Sequence, residues 1–412
     1  MTLLIGTAAA QSIPLLLQPV LRRIYTPEDY GAMAVYLIAF GMLTIIFSLR
    51  YEAVIVLPKN DVAAANVLSL TFLLSLVSGT VLFLVILAFL DPIAALIGLS
   101  AEYKWYLYLL PLACTFFAIC QALNYWLVRQ KAFMASSMNK VVRRGVEGIV
   151  QTISGIYKLP GGLFTGDLAG NFANMLVSFF QSTKKLFSFK HVSIKRMSWA
   201  FKKYIEYPKY NMLPTLLSSA ATLLPFIFIN RFYSTETVGY LDLTRLVLSI
   251  PLIFIAVSIS QVFFRQAAEK KNNSLSIKKD VRDILYLLLG IVAAEIILII
   301  LFGPELFGII FGDNYSVSGS YARILVFGFA LSFIGSTFSS VFLVFERIRM
   351  NSAWQVIYFL AICSLFFVRG MELKDFLVVY VSIEIGMHLV YCLMIWYIVR
   401  VYEKKLALKS HK

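Results

Sequence analysis

Two segments far apart in the chain align without a gap: Arg23-Ile-Tyr-Thr-Pro-Glu-Asp-Tyr-Gly31 and Arg231-Phe-Tyr-Ser-Thr-Glu-Thr-Val-Gly239. Arg, Tyr, Glu and Gly coincide, and Thr26 falls on Ser234. Each segment follows one long apolar run and precedes another. A second pair supports the repeat: Arg129-Gln-Lys131 after the fourth apolar run and Arg347-Ile-Arg349 after the tenth. The chain therefore reads as two related halves of the same orientation, a plan found among transporters built from parallel repeats.

Composition agrees with burial in lipid. Of 412 residues 60% are hydrophobic and 14% charged, against about 25% charged in soluble domains. A span needs roughly 20 apolar residues. Spans are expected near 2–21, 31–49, 63–90, 104–128, 141–157, 162–182, 210–230, 238–261, 283–302, 321–345, 352–369 and 375–399. The expected fold is an all-α integral membrane protein of about twelve transmembrane helices. It divides into an N-terminal six-helix lobe (1–182), a cytoplasmic amphipathic linker (183–209) and a C-terminal six-helix lobe with a basic tail (210–412). Lys158-Leu-Pro-Gly-Gly162 reads as a tight turn, and Asp91-Pro92 and Gly303-Pro304 as the ends of the third and ninth spans. The first run, Thr2–Leu21, has no small-residue cleavage pattern after it and reads as a span, not a removed signal peptide.

The net charge of +15 is distributed unevenly. Loops after even-numbered spans, with the tail, hold 28 Lys and Arg residues, Lys140, Arg143 and Arg144 among them; the other loops hold 7. That asymmetry places both termini in the cytoplasm. It also accounts for the basic balance without nucleic acid. In the linker, Ile194, Met197, Phe201 and Tyr204 step by three or four residues between Lys and Arg, the pattern of a helix lying on the inner leaflet.

Enzymatic chemistry finds no foothold. The sequence contains no P-loop, nucleophile elbow or zinc motif, and the short outer loops offer only Asp91, Glu102 and Asp313 as acids. Cys114, Cys120, Cys363 and Cys392 sit in apolar runs and read as small buried hydrophobes. His191, His388 and His411 are scattered, so no metal site is expected, and no cofactor or catalytic residue is assigned.

The polar residues inside spans carry the functional signal, because ionisable groups at membrane depth are costly. Asp242 and Arg245, three apart on the eighth span, share one helix face. Two readings stand: a cation lining an internal cavity and held by the aspartate, or a self-neutralising structural pair. Arg50 and Glu52 close the second span, where they line a cavity or snorkel to the surface. Gln121, Asn124 and Tyr125 make a polar stripe on the fourth span. Gln11 and Gln18 flank Pro14 on the first, and Asn171 and Asn174 follow Asp167 on the sixth. Such amides serve interhelical hydrogen bonding as well as substrate contact. Glu147, Asp167 and Glu295 are candidates for a coupling ion or proton, with structural roles as the alternative.

Several stretches resemble Wzx-type O-antigen and capsule flippases, members of the multidrug/oligosaccharidyl-lipid/polysaccharide (MOP) exporter superfamily. They are Arg23–Gly31, Arg50-Tyr-Glu52 through Asp61, Leu123-Asn-Tyr-Trp-Leu-Val-Arg129, Tyr207-Pro-Lys-Tyr-Asn211 through Pro225, Val238-Gly-Tyr240, Ser260-Gln-Val-Phe-Phe264, Phe302-Gly-Pro-Glu-Leu-Phe307 and Phe311-Gly312. The resemblance runs over almost the whole chain, and its specificity lies in the order and spacing of these motifs. It implies translocation of undecaprenyl-diphosphate-linked oligosaccharide repeat units across the bacterial inner membrane, by alternating access through a cationic central cavity. On that reading Arg245, Asp242, Arg50, Gln121, Asn124 and Tyr125 contact the substrate, and Arg23 and Arg231 form an outer gate. The implied partners are the lipid-linked glycan, membrane lipids, a polysaccharide polymerase, a chain-length regulator and a coupling proton or sodium ion. Alternatives are a drug/cation antiporter or peptidoglycan-precursor flippase of the same superfamily, a polymerase or ligase, and a non-transporting assembly protein.

Overall fold

The computed structural model describes residues 2–184, 192–206 and 208–410. The Gln11 side chain, residues 185–191 of the basic linker, Tyr207 and Lys412 lie outside the described residues. Every described regular element is a helix. The chain forms two compact units, Met1–Gly239 and Tyr240–Lys412.

The first unit holds α1 (Thr2–Ile24), α2 (Pro27–Phe47), α3 (Asp61–Ile97), α4 (Leu110–Arg129), α5 (Phe133–Ile156), α6 (Gly162–Lys184), α7 (Ile194–Lys203) and α8 (Leu213–Phe232), with the first turn of α9 (Thr235–Asn272). The rest of α9 belongs to the second unit, with α10 (Lys278–Phe311), α11 (Ser316–Thr337), α12 (Ser340–Val344), α13 (Ile348–Cys363) and α14 (Leu373–Ser410). Among the described residues nine helices are long and apolar enough to cross a membrane. Each expected span falls on a helix. The stretches at α1, α5 and α6 are of spanning length, 23 or 24 residues, but lie outside those nine.

The aligned segments Arg23–Gly31 and Arg231–Gly239 prove to be helix starts. Thr26 caps α2: Asp29 N–H donates to Thr26 Oγ1 (3.2 Å), and Thr26 N–H donates to Asp29 Oδ2 (3.0 Å). At the matching place before α9, Thr237 N–H donates to Ser234 Oγ (3.0 Å). Ser, Thr and Asp suit these positions because their oxygens satisfy amides that the first helical turn leaves open. The two corners also touch each other reciprocally. A Cβ at Gly31 would overlap the Thr235 carbonyl, and a Cβ at Gly239 would overlap the Pro27 carbonyl. Residues 27 and 235, like 31 and 239, are equivalents in the alignment, so the contact has the form of a local two-fold. Buried Arg22 braces it, donating to the Gly239 carbonyl (3.1 Å) with its guanidinium 3.4 Å over the Tyr30 ring. Tyr103 donates to Asp29 Oδ1 (2.9 Å), and burial together with that carboxylate pushes its phenol well above the usual range.

The expected stops at Asp91-Pro92 and Gly303-Pro304 are not helix ends. Both prolines lie inside helices, and α3 and α10 run on to Ile97 and Phe311. Proline removes one amide donor and crowds the preceding turn, which bends a long helix without terminating it. In α3 the bend is recorded at Phe89, whose φ/ψ of −131°/32° leave the helical region. Glycines end both helices, Gly98 in the left-handed region (φ 71°) and Gly312 at φ 106°. At 37 residues α3 is roughly 55 Å long, more than the hydrocarbon core requires.

The linker helix α7 forms as the periodicity indicates. Its buried side, Met197 and Ala200, packs with Tyr51, Ile55, Leu68 and Trp126. Tyr51 donates to the Phe201 carbonyl (2.7 Å) and stacks on its ring. The middle of the apolar stripe is therefore committed to protein, while its first residue Ile194, and Trp199, stay exposed.

Candidate functional site

Helix α5 starts at Phe133, two turns before the expected span. Lys140, Arg143 and Arg144, counted above with the loop cations, lie well inside the helix rather than at its edge. Hydropathy favours the later start because Ser136, Ser137, Asn139 and Lys140 depress the window before it. Helical spacing puts Asn139, Arg143, Glu147 and Gln151 on one face, and that face meets α6.

Helix α6 answers with small and polar residues every fourth position: Gly162, Gly166, Gly170, Asn174, Ser178 and Ser182. Close approach is required at Gly170, where a Cβ would sit 2.8 Å from the Arg143 carbonyl and 2.9 Å from Glu147 Cβ. Small residues let two backbones come together in lipid, where interhelical packing and hydrogen bonds hold a bundle.

The seam is filled by paired charges and amides. Asp167, 1% exposed, faces Arg143 at 3.4 Å. Asn171 donates to the same carboxylate at 3.1 Å. Arg144 Nη1 donates to both carboxylate oxygens of Glu147, at 2.8 and 3.1 Å. Asn139 donates to Ser178 Oγ (2.9 Å), and Ser178 donates to Asn174 Oδ1 (3.3 Å). Ser136 reaches Asn124 at 3.3 Å. Beside this network lies a cavity of about 170 Å³ bordered by Gln121, Asn124, Lys140, Arg143, Arg144 and Asn174. The Arg143 guanidinium also lies 5.2 Å from the Phe117 ring centroid. Three cations stand against two carboxylates here, a surplus of one positive charge. Such a site, with amides available for hydroxyls, can hold an oxyanion by charge-assisted hydrogen bonds.

The other residues singled out from the sequence are dispersed. Tyr125 packs against the apolar cluster around Tyr51. Arg50 occupies a left-handed turn (φ 64°) after α2 and pairs with buried Glu52 at 3.3 Å; Ser48 also donates to Glu52. Arg231 donates to the Ala95 and Leu96 carbonyls, and Asn230 to those of Ile97 and Gly98, so together they finish α3. Arg23 is exposed, and its neighbour Arg22 takes the buried place. Asp242 and Arg245 lie half-buried on α9 in the second unit, Arg245 within electrostatic reach of Tyr380. Glu295, on α10, leaves Oε2 without a hydrogen-bond partner.

One buried polar group in the second unit escaped the sequence reading. Tyr358 donates to Glu384 Oε1 (2.5 Å), and His388 Nδ1 lies 3.4 Å from Glu384 Oε2 and 2.9 Å from the Glu384 carbonyl. Trp354 stacks on Tyr358 and donates to the Met387 carbonyl. Glu384 and His388 are one helical turn apart within an apolar run, which is the signal that marks them. Among the described residues no group of His, Cys, Asp and Glu is arranged to hold a metal.

Comparison with known proteins places this architecture. A family model described as "Polysaccharide biosynthesis protein" matches residues 20–320. No curated protein sequence matches. Among solved structures, the chain superposes on an inward-facing multidrug resistance MATE family transporter of the MOP superfamily with a TM-score of 0.74. The two are 16% identical over 96% of each chain. An outward-facing MATE family transporter gives 0.60 at 15% identity, covering 97% of this chain and 95% of the other. A MOP superfamily transporter from Pyrococcus furiosus, described as having a binding pocket of reversed polarity, gives 0.60 at 15% identity, covering 98% and 94%. These likenesses show the fold. With the family match spanning more than half of its length, the chain belongs to the polysaccharide biosynthesis protein family and is a multi-pass membrane protein on the MOP transporter fold.

Proposed function

We propose that the protein flips undecaprenyl-diphosphate-linked oligosaccharide repeat units from the cytoplasmic to the outer leaflet of a bacterial inner membrane, by alternating access. The product feeds O-antigen, capsule or exopolysaccharide assembly. The observation that carries this reading is the basic, amide-lined cavity of the first unit, in a chain whose family is one of polysaccharide biosynthesis. A lipid-linked glycan presents a strongly anionic diphosphate and many hydroxyls, both of which hydrocarbon leaves unsatisfied. Lys140, Arg143 and Arg144 answer the diphosphate oxygens, and Gln121, Asn124 and Asn174 answer hydroxyls. Glu147 and Asp167 hold the two arginines in place. Arg245 is the matching candidate in the second unit, with Arg50 second. A proton or sodium gradient is the proposed drive, with Glu295 a candidate for its site. Both termini lie in the cytoplasm on this reading, and a polymerase and chain-length regulator act on the delivered units.

A cationic-drug antiporter on the same fold calls for surplus acid in the cavity, and the surplus here is basic. The reversed pocket polarity described for the Pyrococcus furiosus transporter is a precedent for a MOP scaffold whose pocket charge differs. Deleting the gene in its host tests the proposal. Surface glycan is expected to disappear, with single repeat units held on the cytoplasmic leaflet, and Lys140→Gln/Arg144→Gln is expected not to restore it at equal membrane abundance. Repeat units arriving normally on the outer leaflet, with only chain growth or attachment stopped, would replace this reading by a polymerase or ligase.

A further inference from the structure

A second cavity, of about 400 Å³, opens in the second unit where the ends of α9 and α14 meet the corner between α12 and α13. Its size falls within the roughly 300–1,000 Å³ range of small-ligand sites. Lys271, Arg347 and Lys405 border it, together with Phe345, Glu346 and Tyr402. The corner is built to hold this shape. Glu346 sits in the left-handed region (φ 59°), and Arg347 N–H donates to the Phe342 carbonyl (2.7 Å). Lys271 donates to the Val344 carbonyl (2.7 Å) and pairs with Glu346 at 2.8 Å. That hydrogen bond and the Lys271 charge hold the Glu346 carboxyl below its ordinary range. The nearby carboxylates are engaged elsewhere: Asp280 binds Lys270 (2.6 Å), and Glu403 accepts from the Ile277 and Lys278 amides at the start of α10. Three cations therefore face one carboxylate, a surplus of two positive charges.

The position along α14 says which anion reaches it. Trp396 and Tyr397 are exposed on that helix, and Arg400 lies 4.9 Å over the Trp396 ring. Exposed Trp and Tyr beside Arg mark the boundary between hydrocarbon and headgroups. Lys405 follows Tyr397 by eight residues, roughly 12 Å along a helix, which carries it past that boundary to the headgroup side. Phe345 and Tyr402, with ring centroids 4.9 Å apart, supply an apolar wall below the cations. We propose that this cavity binds the phosphate headgroup of an anionic membrane lipid, the lipid's glycerol and upper acyl carbons lying on the aromatic wall. Basic pockets between helices at the membrane surface bind such headgroups. This assignment does not rest on the cargo proposed above.

The test uses the purified full chain in neutral detergent, reading its unfolding temperature with added phosphatidylglycerol, phosphatidylcholine or inorganic phosphate. Phosphatidylglycerol is expected to raise that temperature, with phosphatidylcholine and phosphate leaving it unchanged. Arg347→Gln/Lys405→Gln is expected to lose at least half of the rise. Arg349→Gln/Lys404→Gln, which removes the same charge from exposed positions outside the cavity, is expected to keep it. Equal losses in the two variants would reduce the effect to general surface charge, and an equal rise with free phosphate would make the ligand a soluble anion; either overturns the proposal. Native mass spectra of the unaltered protein give a reading independent of the variants' folding: retained phosphatidylglycerol that excess phosphatidylcholine does not displace supports the site, and ready displacement contradicts it.

Discussion

The two halves of the repeat share their turn chemistry, and the two units differ in their interiors. The helix starts at Thr26 and Ser234, both within the first unit, are capped by a hydroxyl residue, a proline lies inside both α3 and α10, and a glycine follows the last residue of each. Inside, the first unit pairs α5 and α6 along a seam of Arg143, Asp167, Arg144, Glu147 and amides. The second unit packs Leu252, Phe263, Leu288, Phe333, Phe342 and Ile395 into an apolar core, with Tyr358, Glu384 and His388 as a compact polar inclusion. A duplicated frame can thus keep its turns, which backbone geometry dictates, while its interior chemistry diverges.

Substitutions can break or sharpen that contrast. The largest expected effect lies at the shared corner. Gly31→Val drives a side chain into the Thr235 carbonyl and should cost more than about 4 kcal/mol, read as loss of folded protein in detergent; Gly239→Val should match it, and tolerance of either would break the reciprocal contact. Next comes the seam. Asp167→Ala leaves half-buried Arg143 without its buried carboxylate and should cost about 2 kcal/mol by thermal unfolding. Asp167→Ala/Arg143→Ala should cost less than the sum of the two single changes, and strict additivity would show that the pair is not coupled. In the second unit Tyr358→Phe removes the donor to Glu384 and should cost about 1 kcal/mol. Last, Thr26→Ala and Ser234→Ala should each cost about 1 kcal/mol; a clear inequality would show that the corners are alike in sequence more than in energy.

The frame was legible because turn chemistry is local. The alignment of residues 23–31 on 231–239 needed only the residues themselves, and the structure sets those two corners against each other. Helix ends were less legible. Pro92 and Pro304 read as stops, but both helices run past their proline, α3 with a bend at Phe89, and end at a glycine. The seam was hidden for a different reason. Hydropathy ranks a charged segment as loop, so the expected span begins only at 141 and leaves Asn139 and Lys140 outside, although the four-residue step from Asn139 to Gln151 is visible in the sequence. Gln121 and Asn124 were noted as a stripe on α4 and do border the cavity. Their neighbours Asn139 and Ser178 come from other helices, a proximity that no single-helix pattern contains. Glu384 and His388 were passed over because one ionisable turn does little to the hydropathy of a 38-residue helix.

The most direct test is a flipping assay with the purified chain in liposomes, using a fluorescent undecaprenyl-diphosphate oligosaccharide and a membrane-impermeant quencher. The account predicts that the intact protein makes the pool in the inner leaflet accessible within the assay. It also predicts that Lys140→Gln/Arg144→Gln slows this at least tenfold, while a neutral phospholipid probe stays in its leaflet in both cases. Equal rates for the variant and the intact protein, or flipping of the neutral lipid as fast as the diphosphate, would contradict it.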